Sequence, residues 1–226
     1  MAKKHLLKGL TIIHEDQDII VVNKASGLLT IATVKEKINT AHFMLNDYVR
    51  KGNPKSRARV FIVHRLDRET SGLLVFAKSE KAKQYLQENW SQFSKKYVAV
   101  VEGTFQDKKG VIESYLMENS SCHVFSTQDK VKGKYAKTAY SVVKESDKYS
   151  LLEVDLFTGR KNQIRVHLSE AGHPIVGDKV YGSRDKVLNR MGLHSLSLTF
   201  AHPYSKKEMH FKTPVPQAFQ MLFKGK

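Results

Sequence analysis

Val63-His64-Arg65-Leu66-Asp67-Arg68-Glu69-Thr70-Ser71-Gly72 is the stretch whose reading decides both the fold and the chemistry of this chain. A histidine and several charged residues stand directly ahead of the apolar run Leu73-Leu74-Val75-Phe76-Ala77, and Gly72 permits a tight entry into it. A short apolar run bounded by turn residues reads as a buried strand, so the charged residues lie on a loop projecting from a rigid sheet. An aspartate on such a loop, between Arg65 and Arg68, can act as a base or nucleophile. On the residues alone, a surface loop with local ion pairs is the simpler account.

Working outward, Asp18-Ile19-Ile20-Val21-Val22-Asn23 is a β-branched strand stopped by the turn residues Lys24-Ala25-Ser26-Gly27. Ala41, Met44, Leu45, Tyr48 and Val49 recur at helical spacing behind Thr40 as a cap, and that helix ends near Lys51-Gly52. Between Arg50 and Arg59 the chain carries five cations and no carboxylate, which predicts a basic loop. Ser79 opens a helix with Ala82, Leu86, Trp90 and Phe93 on its apolar face.

Beyond it the periodicity turns to strands. Tyr97 to Val101, Val111 to Met117 and His123 to Ser126 read as β, and Lys134 to Lys144 with Tyr149 to Phe157 read as a hairpin turning at Glu145-Ser146-Asp147-Lys148. Thr158-Gly159-Arg160 is expected to open a helix closed by Gly172 and Pro174. Strands resume at His194 to Phe200 and Lys207 to Lys212, before a short terminal helix. Hairpins with a few inserted helices predict an α+β fold, with no linker or repeat to mark a domain boundary.

Composition narrows the function. Lys and Arg number 38 against 22 Asp and Glu, a net charge of +16, which points to a polyanionic partner. One cysteine, Cys122, excludes an intrachain disulfide and any multi-thiolate metal site, and suits a reducing, cytoplasmic setting. No apolar run approaches the roughly 20 residues that span a bilayer, so no membrane role is expected. Among 13 glycines there is no Gly-x-Gly-x-x-Gly and no phosphate-cradling Gly-Lys-Ser/Thr loop, and the ten histidines include no His-Glu-x-x-His. Nucleotide cofactors and a zinc site are therefore not expected, which leaves ordinary side chains acting on a nucleic acid.

The run from His64 to Gly72 resembles the signature of the RluA-type RNA pseudouridine synthases, and further stretches fall in that family's order. Asp18 to Gly27 is similar to its opening strand and lysine loop, and Lys96-Tyr97 to Glu102-Gly103 to its tyrosine strand. Thr158-Gly159-Arg160-Lys161-Asn162-Gln163-Ile164-Arg165-Val166-His167-Leu168 resembles its Thr-Gly-Arg helix. Gly177-Asp178 to Tyr181-Gly182 is similar to the loop after that helix, and Leu193-His194 to His202-Pro203 to the final signature. The chain departs from the family's usual pattern at Ala25, where proline is common, and at Asn162, where histidine is.

The resemblance covers about Thr11 to Pro214. It implies a pseudouridine synthase fold, a mixed and mainly antiparallel central β-sheet flanked by helices and loops, with a central catalytic cleft. Residues 1–10 would be an N-terminal extension and 11–226 the catalytic domain. It implies the catalytic set Asp67, Tyr97 and Arg165, the last pairing with the aspartate, and RNA contacts by Arg65, Leu66, Arg68, Lys24, Arg57, Arg59, Lys161, Asn162, Gln163 and Ile164. Arg65 is the candidate to fill the place of a flipped base, and the lysines Lys130, Lys132, Lys134 and Lys137 are further phosphate contacts. The expected protein is a cofactor-free monomer acting on uridines of ribosomal or transfer RNA. Too little chain precedes Thr11 for the S4-type RNA-binding domain that many relatives carry. A glycosidase-like hydrolase using Asp67 with Glu69, and a catalytically idle RNA-binding module, are the rival readings.

Overall fold

The computed structural model describes residues 7–53 and 55–223. It divides into two compact units: the chain up to Phe93 with Leu198–Thr213, and Ser94–Ser197 with the residues from Pro214 onward. No glycine- or proline-rich linker marks the division. It falls between Phe93, packed on the first unit's core, and Ser94, the first residue of a strand. Both units are α+β, with mainly antiparallel strands flanked by helices.

In the first unit β1 (Leu10–Glu15) pairs antiparallel with β2 (Ile19–Lys24), which pairs antiparallel with β4 (Ser71–Ala77); the two-residue β3 (Phe61–Ile62) also lies on β4. Every residue of β4 is buried, as its unbroken apolar run requires of a strand covered on both faces. Two helices flank these strands, α1 (Ala41–Arg50) and α2 (Glu80–Glu88), each begun by the hydroxyl expected of it. Thr40 Oγ1 accepts from Phe43 N at 3.1 Å, and Ser79 Oγ from Ala82 N at 3.1 Å. α2 is shorter than its apolar spacing suggests: Trp90–Gln92 form a separate 3₁₀ turn, and Trp90 and Phe93 still pack on the core with Leu86, Val75 and Phe211.

The second unit runs in the order β5 (Ser94–Glu102), β9 (Tyr149–Leu156), β8 (Lys134–Glu145), β6 (Lys109–Glu118), β7 (Val124–Thr127), with antiparallel pairing throughout. Helix α3 (Gln163–Glu170) and the short α4 (Gln217–Met221) complete it. Strand β10 (Leu193–Ala201) contributes 193–197 to this unit and 198–201 to the first, where β11 (Glu208–Lys212) pairs with it. Among the described residues no helix is long and apolar enough to cross a membrane.

Burial of histidine in the second unit sets an acid limit on stability. His194 is 3% exposed, and burial, with the nearby Arg190 charge, pushes its imidazole from 6.5 down to about 4. Burial also lowers His167. Above pH 6.5 both states carry neutral imidazoles and nothing is lost; as pH falls from 6.5 toward 4 only the unfolded chain gains protons, so stability falls through that window. For His194 the loss is on the order of 3 kcal/mol by pH 4. Urea midpoints should accordingly drop steadily between pH 6.5 and 4, and the drop should shrink in His194→Asn.

Candidate active site

The Asp67 loop is held at almost every backbone position around the aspartate. Thr30 Oγ1 donates to Leu66 O at 2.8 Å and accepts from Leu66 N at 3.2 Å. Thr70 N donates to Asp67 O at 3.2 Å, closing a turn on the aspartate itself, and Gly27 N donates to Arg68 O at 2.9 Å. Ser26 Oγ donates to Glu69 O at 2.6 Å, and Arg68 Nε to Gly27 O at 3.0 Å. Gly27 takes φ +85, a conformation that favours glycine, which explains the Ser26-Gly27 turn opposite the loop. His64 Nε2 accepts from Val75 N at 3.1 Å while its ring stacks on Trp90, tying the start of the loop to β4. The Asp67 side chain is half-buried on this frame. Holding the backbone on both sides limits the positions its carboxylate can reach.

Lys24 completes the frame. It is fully buried, and its ammonium donates to Ala25 O at 3.0 Å, Leu28 O at 2.7 Å and Arg68 O at 3.1 Å. Expected as an RNA contact, Lys24 is found with its ammonium among carbonyls of two loops, where it acts as a clamp. Lys24→Met keeps the stem but removes the donor, and should lower stability by about 2–4 kcal/mol in urea unfolding. It should also lower kcat more than it raises KM.

In the second unit Tyr97 lies on β5 opposite Val154 of β9 and is 7% exposed. Lys95 shares its strand face two residues away, with burial lowering its ammonium to about 8. Arg165, on α3, grips Asp178 with both arms of its fork: Nε to Oδ2 at 2.6 Å and Nη2 to Oδ1 at 2.9 Å. Nη1 donates to Asn162 Oδ1 at 3.2 Å, and the guanidinium lies 4.8 Å over the Tyr181 ring. Asn162 Nδ2 in turn donates to the Tyr181 hydroxyl at 3.1 Å. Asp178 is nearly inaccessible, so this is a buried bidentate pair that fixes the arginine's plane. Sequence reasoning places Asp178 in the loop after the helix but gives it no role; only the tertiary contact reveals one.

The helix begins later than Thr158. Residues 158–162 form a loop, Asn162 adopts φ 53, and α3 starts at Gln163. The Gln163 amide explains the shape: its Oε1 accepts from Thr158 Oγ1 at 2.7 Å and Arg160 N at 3.0 Å, while Nε2 donates to Lys137 O at 3.0 Å and Thr138 Oγ1 at 2.8 Å. All four of its hydrogen-bonding positions are used, which staples the Thr-Gly-Arg loop to β8. Gln163, Ile164 and Leu66, expected as RNA contacts, are buried, at 2%, 5% and 6% exposure. Arg65, Arg68, Arg57, Arg59 and Lys161 are exposed, as a phosphate contact requires. Lys161 Nζ donates to Glu118 Oε1 at 2.5 Å and to the Cys122 carbonyl.

Asp67 thus belongs to the first unit, and Tyr97 and Arg165 to the second. Asp16, Asp18 and His202 also cluster in the first unit. His202 Nδ1 accepts from the amides of Tyr204 and Ser205, so Nε2 carries the hydrogen that bonds Asp16 Oδ2 at 3.2 Å, and the cluster is a hydrogen-bonded corner.

Residues 18–170 match the family model described as RNA pseudouridylate synthase. The chain is 33% identical over 220 residues to the Bacillus subtilis RNA pseudouridine synthase YjbO, covering 96% of this chain and 76% of that protein. It is 34% identical over 229 residues to the Zymomonas mobilis ribosomal large subunit pseudouridine synthase D, covering 95% and 72%. Among solved structures, human RNA Pseudouridylate Synthase Domain Containing 4 superposes with a TM-score of 0.75 at 25% identity, covering 96% of this chain and 92% of that one. The human Domain Containing 1 protein gives 0.73 at 27% identity, covering 91% and 83%.

Proposed function

The chain belongs to the RNA pseudouridylate synthase family and is an RNA pseudouridine synthase, an isomerase; from that premise we propose that it converts specific uridines in structured RNA by an aspartate-dependent exchange of bonds at C1′. The N1–C1′ glycosidic bond breaks, the base turns, and C5 joins C1′; C5 loses its proton and N1 gains one, so no redox partner or energy source is required. Asp67 is the residue that opens the exchange, either by attacking C1′ or by removing the 2′ proton. Arg165 orients the aspartate, and Tyr97 packs on the detached base and assists loss of the C5 proton. The target base leaves its stack to react, and the exposed Arg65 takes its place. The observation that carries this reading is the rigidly framed Asp67 loop, lying in sequence order with the Tyr97 strand and the Arg165 helix.

Glu69 does not support the hydrolase alternative. It is exposed, and its carboxylate faces Arg68 at 3.8 Å from Nε. Ribosomal RNA is the first substrate to examine, because relatives at 33–34% identity include ribosomal large subunit synthases. Pseudouridine mapping in ribosomal and transfer RNA from cells lacking the protein should reveal one or a few missing sites, restored by the wild type and not by Asp67→Ala. A map unchanged by the deletion would oppose the assignment.

A further inference from the structure

Within the first unit, α1, β3 and the segment leading into β3 line an open groove of about 640 Å³ whose lining does not include Asp67. Its chemistry is unusual for a surface depression. Phe43, 48% exposed, and Phe61 supply aromatic faces, and the Arg59 guanidinium lies 4.8 Å over the Phe61 ring. Lys37, Arg50 and Lys83 line the same space, against one lining carboxylate, Asp47. Lys83 is partly neutralised by Glu80 at 2.7 Å. Phe43, Asp47 and Arg50 follow one another at the spacing that brings helical side chains to one face. The wall is held in place: Asn46 Oδ1 accepts from Val60 N at 2.9 Å, and Asn46 Nδ2 donates to His42 O at 2.9 Å, locking α1 to the strand segment.

We propose that this groove binds an unpaired RNA nucleotide outside the uridine that is isomerised, stacking its base on Phe43 and the Arg59–Phe61 pair while Arg50 and Lys37 meet the flanking phosphates. The assignment rests on the RNA-modifying reading above. Exposed aromatics among cations are what single-stranded nucleic acid requires, because every base has a π-face and every linkage a negative charge. A purely apolar partner would not call for four cations, and an acidic peptide would not call for aromatic faces beside them. The groove also supplies a means of substrate choice within the catalytic chain: an RNA presenting an unpaired residue at the right distance from the target gains affinity that a continuous duplex does not.

The test uses the full chain and two fluorescein-labelled probes, a single-stranded hexauridylate and its abasic counterpart with the same phosphates, read by anisotropy. Phe43→Ala, whose side chain is exposed and outside the core, should weaken hexauridylate binding by about five- to ten-fold and leave the abasic probe nearly unchanged. Arg59→Lys keeps the charge but loses the planar stack, and should show the same base-dependent loss. Equal losses on both probes, or none on either, would overturn the proposal in favour of general charge attraction or a different occupant. Tritium release from uridine-labelled RNA, measured on the same preparations, separates the two readings. Wild-type release with variants that do not distinguish the probes removes the groove and leaves the isomerase, and base-dependent binding without wild-type release does the reverse.

Discussion

Asp67→Ala should abolish tritium release from RNA labelled at uridine C5, lowering kcat by at least about a thousand-fold, because no neighbouring group can replace the carboxylate at C1′. The backbone frame of the loop should persist. The loop's bonds to Thr30, Gly27 and Ser26 come from the backbone of Leu66, Arg68 and Glu69, and the turn to Thr70 uses the Asp67 carbonyl, so none depends on its side chain. Asp67→Asn tests the charge alone and should be comparably inactive, since an amide neither attacks C1′ nor accepts the 2′ proton. Retention of more than about one per cent of wild-type kcat in either variant would remove Asp67 from the role assigned to it.

Asp178→Ala should be strongly destabilising. Asp178 is 2% exposed and its two oxygens hold both arms of Arg165, while Oδ1 also accepts from the amides of Val180 and Tyr181 at 3.2 Å. Removing one partner of a buried pair leaves the other charge uncompensated, at a cost of about 3–5 kcal/mol. In a domain of this size that corresponds to a fall in Tm of roughly 6–20 °C. The folded fraction should also lose activity, because the plane of Arg165 would no longer be set. Arg165→Lys should reproduce much of both effects, since an ammonium cannot make the two parallel bonds. A Tm within about 2 °C of wild type for Asp178→Ala would show that the pair does not organise the site.

What could be read from the sequence, and what could not, follows from how local each determinant is. The caps at Thr40 and Ser79, the buried run of β4 and the β8–β9 turn at 145–148 are set by residues within a few positions of one another, and they stand where periodicity and turn chemistry place them. β1 has no such signal: its Ile13 is exposed and its pairing with β2 is interrupted between Ile12 and His14. The start of α3 was displaced by contacts from another strand, since Gln163 draws the Thr-Gly-Arg loop onto β8 and Asn162 takes a left-handed turn before the helix. Lys24 and Asp178 are the clearest failures of local reading. Lysine and aspartate are ordinarily solvent-facing, and only carbonyls supplied from across a loop, or an arginine thirteen residues earlier, explain why these two are buried. The motifs were legible in their order along the chain; the side chains that brace the Asp67 loop and the Arg165 helix were not.

The most direct test of the central claim is a paired measurement on one reaction: tritium released from C5-labelled RNA, and the nucleosides recovered from that RNA after digestion. Wild-type protein should release one tritium for each pseudouridine formed, without metal, nucleotide or redox cofactor and without free uracil. Free uracil in proportion to the uridine lost, or no tritium release from any ribosomal or transfer RNA, would contradict it.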